Sequence, residues 1–296
     1  MRIFITGSAA HLARAWLPKL CADVRIQQVI GVDVAPAIFT HEKYTHHQMD
    51  IRSPDIAAHM AGCDVLVHLA WVVLRGKMRA TDMHDINVRG TQLVFEAARA
   101  VGIARLIHVS SAAVYGHGES LSEAAPFNPL PGFMYAQHKV EAENYLAGAF
   151  PQALRLRPHI ILGPHCQPLL QQLLHLAFYP RLSDPQPRLQ CVHEDDVADA
   201  LSAGLFSTAS GPINLAACGE YSLKQVIAAR FRHPIAVPFC LIKTSLNVAW
   251  RLTGFGGEPA WVDGMRHTLT LDCSRAQKAL GWRPKFTAAA TLDAMK

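Results

Sequence analysis

From residue 2 to residue 156, short apolar runs alternate with segments of helical period, and few folds accommodate that order. Strands are predicted at 2–6, 27–33, 44–49, 64–70, 106–110 and 154–156, and helices at 10–21, 81–101 and 134–147. The runs VLVHLA and LIHVS are apolar on both faces, as strands covered on both sides must be. Strand and helix in alternation build a parallel sheet with helices on each face, so the fold class is α/β and doubly wound. After Arg157 the regularity fades, because Pro158, Pro164, Pro168, Pro180, Pro185 and Pro187 cut the chain into short pieces. A helix at Glu194–Phe206 and a strand at 213–215 are placed to return to the first sheet. The expected organisation is a nucleotide-binding unit over residues 1–157, with returning segments near 188–216. A smaller, interleaved substrate-binding lobe then covers 158–296.

Composition narrows the function. Half of the 296 residues are apolar and 17% are charged, which excludes a disordered chain. The net charge of +5 comes with no dense run of Lys or Arg, so no nucleic-acid partner is expected. No stretch reaches the roughly 18 apolar residues of a membrane helix, and no membrane partner is expected. MRIFITG enters a strand directly instead of forming a secretion signal, so the cytoplasm is the expected location. The seven cysteines are scattered without a Cys-x-x-Cys pair, which favours reduced, mostly buried thiols over disulfides or a thiolate metal site.

The first strand runs into TGSAAHLA, residues 6–13, and then a helix. A tight turn there aims backbone N–H groups and the positive helix end at a pyrophosphate, the arrangement of a Rossmann dinucleotide site. Of the three glycines such turns favour, only Gly7 is present; Ala10 and Ala13 hold the other positions. Asp33 ends the second strand, where a carboxylate can accept hydrogen bonds from ribose hydroxyls; alone it reads equally as a strand-end turn residue. No cation follows it for a 2′-phosphate, so NAD is expected over NADP. Asp50 and Ile51 are placed to meet the adenine, and Leu69, Ala70 and Trp71 to lie along the dinucleotide.

The chemistry sits in VSSAAVYG (109–116) and YAQHK (135–139). Tyr135 and Lys139 fall on one helix face at i and i+4. A phenol is a poor base at neutral pH, and a neighbouring ammonium makes its phenolate accessible. Ser111, at a strand end, can hydrogen-bond the substrate oxygen. Behind a dinucleotide turn, this set points to a tyrosine base in redox catalysis.

Taken together, TGSAAHLA, Asp33, VLVHLA, NVRGT (87–91), VSSAAVYG, YAQHK, LRLRPHIILGP (154–164), VHEDDVADA (192–200) and LGWRPKF (280–286) make the chain resemble the extended short-chain dehydrogenase/reductase family. The likeness is to its NAD-dependent epimerase/dehydratase type. The resemblance implies Tyr135 as acid/base, Lys139 as its partner and as a holder of the nicotinamide ribose, and Ser111 as oxyanion stabiliser. It also implies Asn87 near the nicotinamide end, and Gly7, Ala10, His11 and Leu12 around the pyrophosphate. It further implies a homodimer formed through the helices at 81–101 and 134–147. Two positions depart from members that act on sugar nucleotides. His159 follows Arg157-Pro158 where those members often carry a diphosphate-binding Asn, and Arg188 is displaced by one from their usual Arg. The segment RPHIILGP is as similar to the dihydroflavonol-reductase and hydroxysteroid-dehydrogenase branches.

The expected function is NAD-dependent oxidation or epimerisation at a secondary alcohol of a sugar nucleotide or related small molecule. An alcohol or ketone dehydrogenase-reductase is the alternative. A non-catalytic dinucleotide sensor or scaffold, motivated by the alanines in the turn, is the rival of another class. No metal site is expected, despite His41, His46 and His47 in HEKYTHH. His68 and His108 are expected to be satisfied core residues. The loop 116–132 is expected to wall the substrate pocket, with Glu123 either a solvated charge or a second acid. Trp250, Phe255 and Trp261 are expected to line that pocket or fill the small lobe.

Overall fold

Seven strands make one parallel sheet in the computed structural model, which describes residues 1–256 and 259–295. From edge to edge they run Gly211–Leu215, Leu154–Pro158, Arg105–Val109, Val65–His68, Arg2–Thr6, Gln28–Asp33 and Tyr44–Gln48. Strand order reverses between Arg2–Thr6 and Val65–His68, and open α/β sheets place their ligand crevice beyond the carboxyl ends of such a pair. Side-chain alternation sends Ile3 and Ile5 to one face, against Trp16 and Leu17 of helix His11–Ala22 and Val197 and Leu201 of helix Glu194–Phe206. Phe4 goes to the other face, with Leu66, Phe95 and Phe150. The sheet is thus doubly wound, with the returning strand Gly211–Leu215 paired to Leu154–Pro158 at its edge.

The segment predicted as one helix at 81–101 divides into Ala80–His84, a π-helical turn Asp85–Arg89 and Gly90–Ala100. The wider turn buries Asn87. Gly90 lets the helix sit on Ile51, whose Cδ1 would lie 2.7 Å from any added Cβ. The predicted loop at 116–132 contains a strand, Gly118–Leu121, paired in parallel with Leu269–Leu271. Later segments form two further parallel pairs, Ile160–Leu162 with Cys191–His193 and Phe178–Arg181 with Ile235–Pro238. All seven cysteines are free thiols, four of them buried.

A buried ionic cluster docks helix Met134–Ala149 onto the sheet. Glu143 is 1% exposed, and its carboxylate accepts hydrogen bonds from Arg155 Nε at 2.9 Å and from Arg157 Nε at 2.7 Å and Nη2 at 2.9 Å. Arg157 Nη1 donates to the Tyr115 hydroxyl at 2.6 Å, which donates in turn to Asn214 at 2.8 Å. Helix, two strands and the turn at Ala112–Tyr115 therefore share one polar network. Removing one member leaves buried charge uncompensated, which costs about 3–5 kcal/mol. Glu143→Ala is expected to lose about that much stability in urea unfolding followed by circular dichroism, while Glu96→Ala, at a half-exposed helix surface, should lose less than about 1 kcal/mol.

Candidate active site

The turn after the first strand is tight. Gly7 has φ +72°, and its N–H donates to Val32 O at 2.8 Å. A Cβ there would lie 2.4 Å from the Ala70 nitrogen, so only glycine allows the two strand ends to approach. Helix His11–Ala22 starts at Ala10 with no side-chain cap, and its first-turn N–H groups stay available to an anion. His11 is exposed at this end and Leu12 half-buried, while Ala13 is fully buried where helix meets sheet. Asp33 closes the turn from the side: its carboxylate accepts from Ala9 N–H at 3.0 Å and Ala35 N–H at 2.9 Å. Lone pairs remain on both oxygens for a ribose.

The side chains predicted at the adenine are committed elsewhere. Asp50 is gripped by Arg52 at 2.6 and 3.0 Å, and Arg52 also reaches Asp85. The Arg52 hydrogen bonds hold the Asp50 carboxyl below its usual range. Ile51 is buried beneath Gly90. The Asp50 carboxylate, paired with Arg52, remains 39% exposed.

At the crevice, Leu69 N–H donates to Thr6 O at 2.9 Å, and Leu69 and Ala70 are half-buried beside the Gly7 turn. His68 bridges Thr6 Oγ1 at 2.6 Å and Thr91 Oγ1 at 2.9 Å, and burial pushes its pKa down to about 3, so it is a satisfied neutral core residue. His108 is not. It stacks on His68 with ring centroids 5.4 Å apart, yet neither of its ring nitrogens has a hydrogen-bond partner among the described residues. Phe95 and Trp71 also pack around the ring, and neither pairs with its nitrogens. Asn87 clamps the chain just beyond Trp71, accepting from Val72 N–H at 2.8 Å and donating to Val72 O at 2.9 Å.

Helix Met134–Ala149 delivers Tyr135 and Lys139 to the same crevice. Lys139 is 3% exposed; its Nζ donates to Val109 O at 2.7 Å and lies 3.4 Å from the centroid of the Trp71 ring. The same ammonium is 5.9 Å from the Tyr135 ring centroid. Burial pushes the Lys139 pKa well down, opposed by the negative charge of Glu143 one turn away. Burial also raises the Tyr135 phenol, and the neighbouring Ser111 hydroxyl opposes that rise. Ser111 Oγ additionally accepts from Ala113 N–H at 3.1 Å, which fixes it at the head of the turn after the strand. The structure therefore brings Ser111, Tyr135 and Lys139 together and adds Trp71, whose ring meets Tyr135 edge-on at 6.4 Å. Sequence reasoning placed Trp71 along the dinucleotide and missed its packing against the lysine, since nothing local links residues 71 and 139.

A cavity of about 500 Å³ opens beside Pro131 and Gly132, just ahead of the helix that carries Tyr135, and is walled by Lys243, Asn247, Trp250 and Asp263. Lys243 is paired with Asp263 at 2.7 Å. The Trp250 indole donates to Gly76 O at 2.9 Å, whereas Phe255 is 49% exposed and belongs to neither pocket nor core. Trp261 donates to Gly256 O at 2.9 Å. Glu123 is neither a solvated charge nor a second acid in the crevice: it accepts the Asn214 N–H at 2.8 Å and holds the returning strand. His159 is buried, its Nε2 donating to Leu269 O at 3.0 Å and its Nδ1 accepting from Ile160 N–H at 2.8 Å. Arg188 is held by Glu119 at 2.5 Å and Glu220 at 2.8 Å. Among the described residues no three His, Cys, Asp or Glu side chains are grouped to hold a metal.

Known proteins share this architecture. The chain is 32% identical over 193 residues to 4-hydroxy-2-methyl-3-oxo-4-farnesyl-3,4-dihydroquinoline-1-oxide ketoreductase of Stigmatella aurantiaca. That match covers 59% of this chain and 54% of the ketoreductase, so it spans about half of that relative. An uncharacterized protein of Mycobacterium tuberculosis is 27% identical, with 98% of this chain and 82% of that one covered. The structure of MoeE5 in complex with UDP-glucuronic acid and NAD superposes with a TM-score of 0.80 at 22% identity, covering 99% and 97% of the two chains, which shows the common fold. The model of the NAD dependent epimerase/dehydratase family matches residues 3–215, and the chain belongs to that family of enzymes.

Proposed function

We propose that the protein transfers hydride between NAD and a secondary alcohol or its ketone, with Tyr135 as the acid/base. The observation that carries this reading is the placement of Tyr135 next to Ser111 and beside Lys139, whose buried Nζ lies 5.9 Å from the Tyr135 ring centroid. The crevice fits the cofactor: the Gly7 turn admits no Cβ, the uncapped helix start at Ala10 offers N–H groups to a pyrophosphate, and Asp33 faces the expected ribose. NAD supplies the hydride acceptor when bound. Tyr135 takes the hydroxyl proton of the substrate, and Ser111 donates a hydrogen bond to the same oxygen as it becomes a carbonyl. Lys139 holds positive charge near the phenol, which favours the phenolate that Tyr135 needs to act as a base.

For the substrate, the side chains favour an alcohol or ketone over a sugar nucleotide. A diphosphate asks for uncommitted donors or cations. His159 gives both ring nitrogens to backbone, Arg188 is held by two carboxylates, and the cavity lysine, Lys243, is neutralised by Asp263. The ketoreductase relative supports the same choice.

Three outcomes test these assignments. Monitoring absorbance of NADH with a panel of secondary alcohols and UDP- or dTDP-sugars, Tyr135→Phe should lose at least about 100-fold in turnover while calorimetry finds NAD affinity nearly unchanged. A Phe variant with wild-type turnover would remove Tyr135 from the mechanism. Asp33→Ala should weaken NAD binding by about tenfold and narrow the preference over NADP, because one hydrogen-bonded carboxylate is lost and its repulsion of a 2′-phosphate with it. In the oxidation direction activity should rise with pH as Tyr135 ionises. In Lys139→Met that limb should shift to higher pH, since removing the cation raises the phenol pKa. An unmoved limb would mean Lys139 does not tune Tyr135.

A further inference from the structure

Helix Phe239–Thr253 turns one apolar face, with Phe239 and Trp250, inward and also shows large apolar side chains to solvent. None of its 15 residues is buried, yet Leu241 is 56%, Val248 50% and Leu252 71% exposed. At about 100° per residue these three lie within about 40° of one another, so they form a single outward stripe. Phe255, just past the left-handed cap at Gly254, extends it. The opposite side holds the helix to the protein: Trp250 bonds to Gly76 and Lys243 to Asp263, and Arg266 stacks on Phe239. The same helix therefore walls the cavity on one side and shows leucine to solvent on another.

Charge selects the partner. From Tyr221 to Gly256 the sequence contains no Asp or Glu, and besides Lys243, which Asp263 neutralises on the inner side, it contains Lys224, Arg230, Arg232 and Arg251. Arg251 flanks the stripe, and Lys77 caps the helix end through Leu252 O at 2.8 Å. A second copy related by a two-fold axis would set these cations against themselves. Anionic lipid headgroups complement them, while the leucines enter the acyl boundary.

We propose that helix Phe239–Thr253 lies in the surface of an anionic bilayer, with Leu241, Val248 and Leu252 inserted and Arg251 and Lys77 on the headgroups. Among the described residues no helix is long and apolar enough to cross a membrane, so the helix would lie on the bilayer without spanning it. This revises the expectation of no membrane partner, which rested on spanning segments alone. The inference is independent of the reaction at Tyr135 and is tested without substrate.

The test is flotation of the purified protein with vesicles of phosphatidylcholine alone and of phosphatidylcholine with phosphatidylglycerol. The wild type should float with the anionic vesicles and detach as salt is raised. Leu241→Asp/Leu252→Asp should bind at least about tenfold more weakly, and Arg251→Glu should weaken binding to anionic vesicles. Thermal melts and NAD titrations should match the wild type in both variants. Binding to neither vesicle, equal binding to both, or binding indifferent to the leucine substitutions overturns the proposal. So does a wild type of larger mass than the leucine variant by light scattering, which would mean that a second copy covers the stripe.

Discussion

The carboxylate of Glu143 is the constraint on which the site rests. It is buried, and the two guanidinium groups that neutralise it come from the neighbouring strand Leu154–Pro158. Glu143 stands one turn beyond Lys139 on the same helix, so the pairing that docks the helix also sets the height of the ammonium. Arg157 carries the constraint onward to Tyr115 and Asn214, and hence to the turn that begins at Ser111. The three groups assigned to catalysis are thereby referenced to one ionic cluster rather than to surface loops.

That arrangement explains why a lysine can be buried here at all. Desolvation disfavours the ammonium, and three features of the site offset it: the Val109 carbonyl, the face of the Trp71 indole and the negative charge of Glu143. A charge held this way is weakly screened by solvent, and it lies 5.9 Å from the centroid of the Tyr135 ring. Asn87 contributes indirectly, since its clamp on Val72 fixes the segment that starts with Trp71.

The alternation of periods from Arg2 to Leu156 was enough to read the sheet and its covering helices, because most of those strands are apolar runs bounded by segments of helical period. The dinucleotide turn and the Tyr135, Lys139 and Ser111 set were legible for a similar reason: each depends on spacing within one turn or one helix face. What the sequence hid depends on partners far along the chain. Ile160–Leu162, Cys191–His193 and Leu269–Leu271 are three residues each, too short to display a period, and exist only through their pairings. Glu123 belongs to the Asn214 backbone 91 residues away, and the π-helical turn at Asp85–Arg89 leaves the amphipathic pattern of its helix nearly intact. Trp71 and Lys139 likewise meet only once the sheet has formed.

Polar atoms without partners gather at the crevice. Both nitrogens of His108, the Trp71 indole nitrogen and Ser110 Oγ have no hydrogen-bond partner among the described residues, and Trp71 and His108 lie with ring centroids 5.9 Å apart. Each such group lowers stability, and burying several side by side is the opposite of what core packing selects. Elsewhere in the sheet His68 is paired between Thr6 and Thr91, while Arg155 Nη1 is a further atom without a partner among the described residues. The breach lies in the buried layer beside Lys139, where His108 is fully enclosed. The same logic separates this crevice from the pairing of Lys243 with Asp263 in the adjoining cavity, where charge is neutralised within the protein and little polar capacity is left for an ionic substrate.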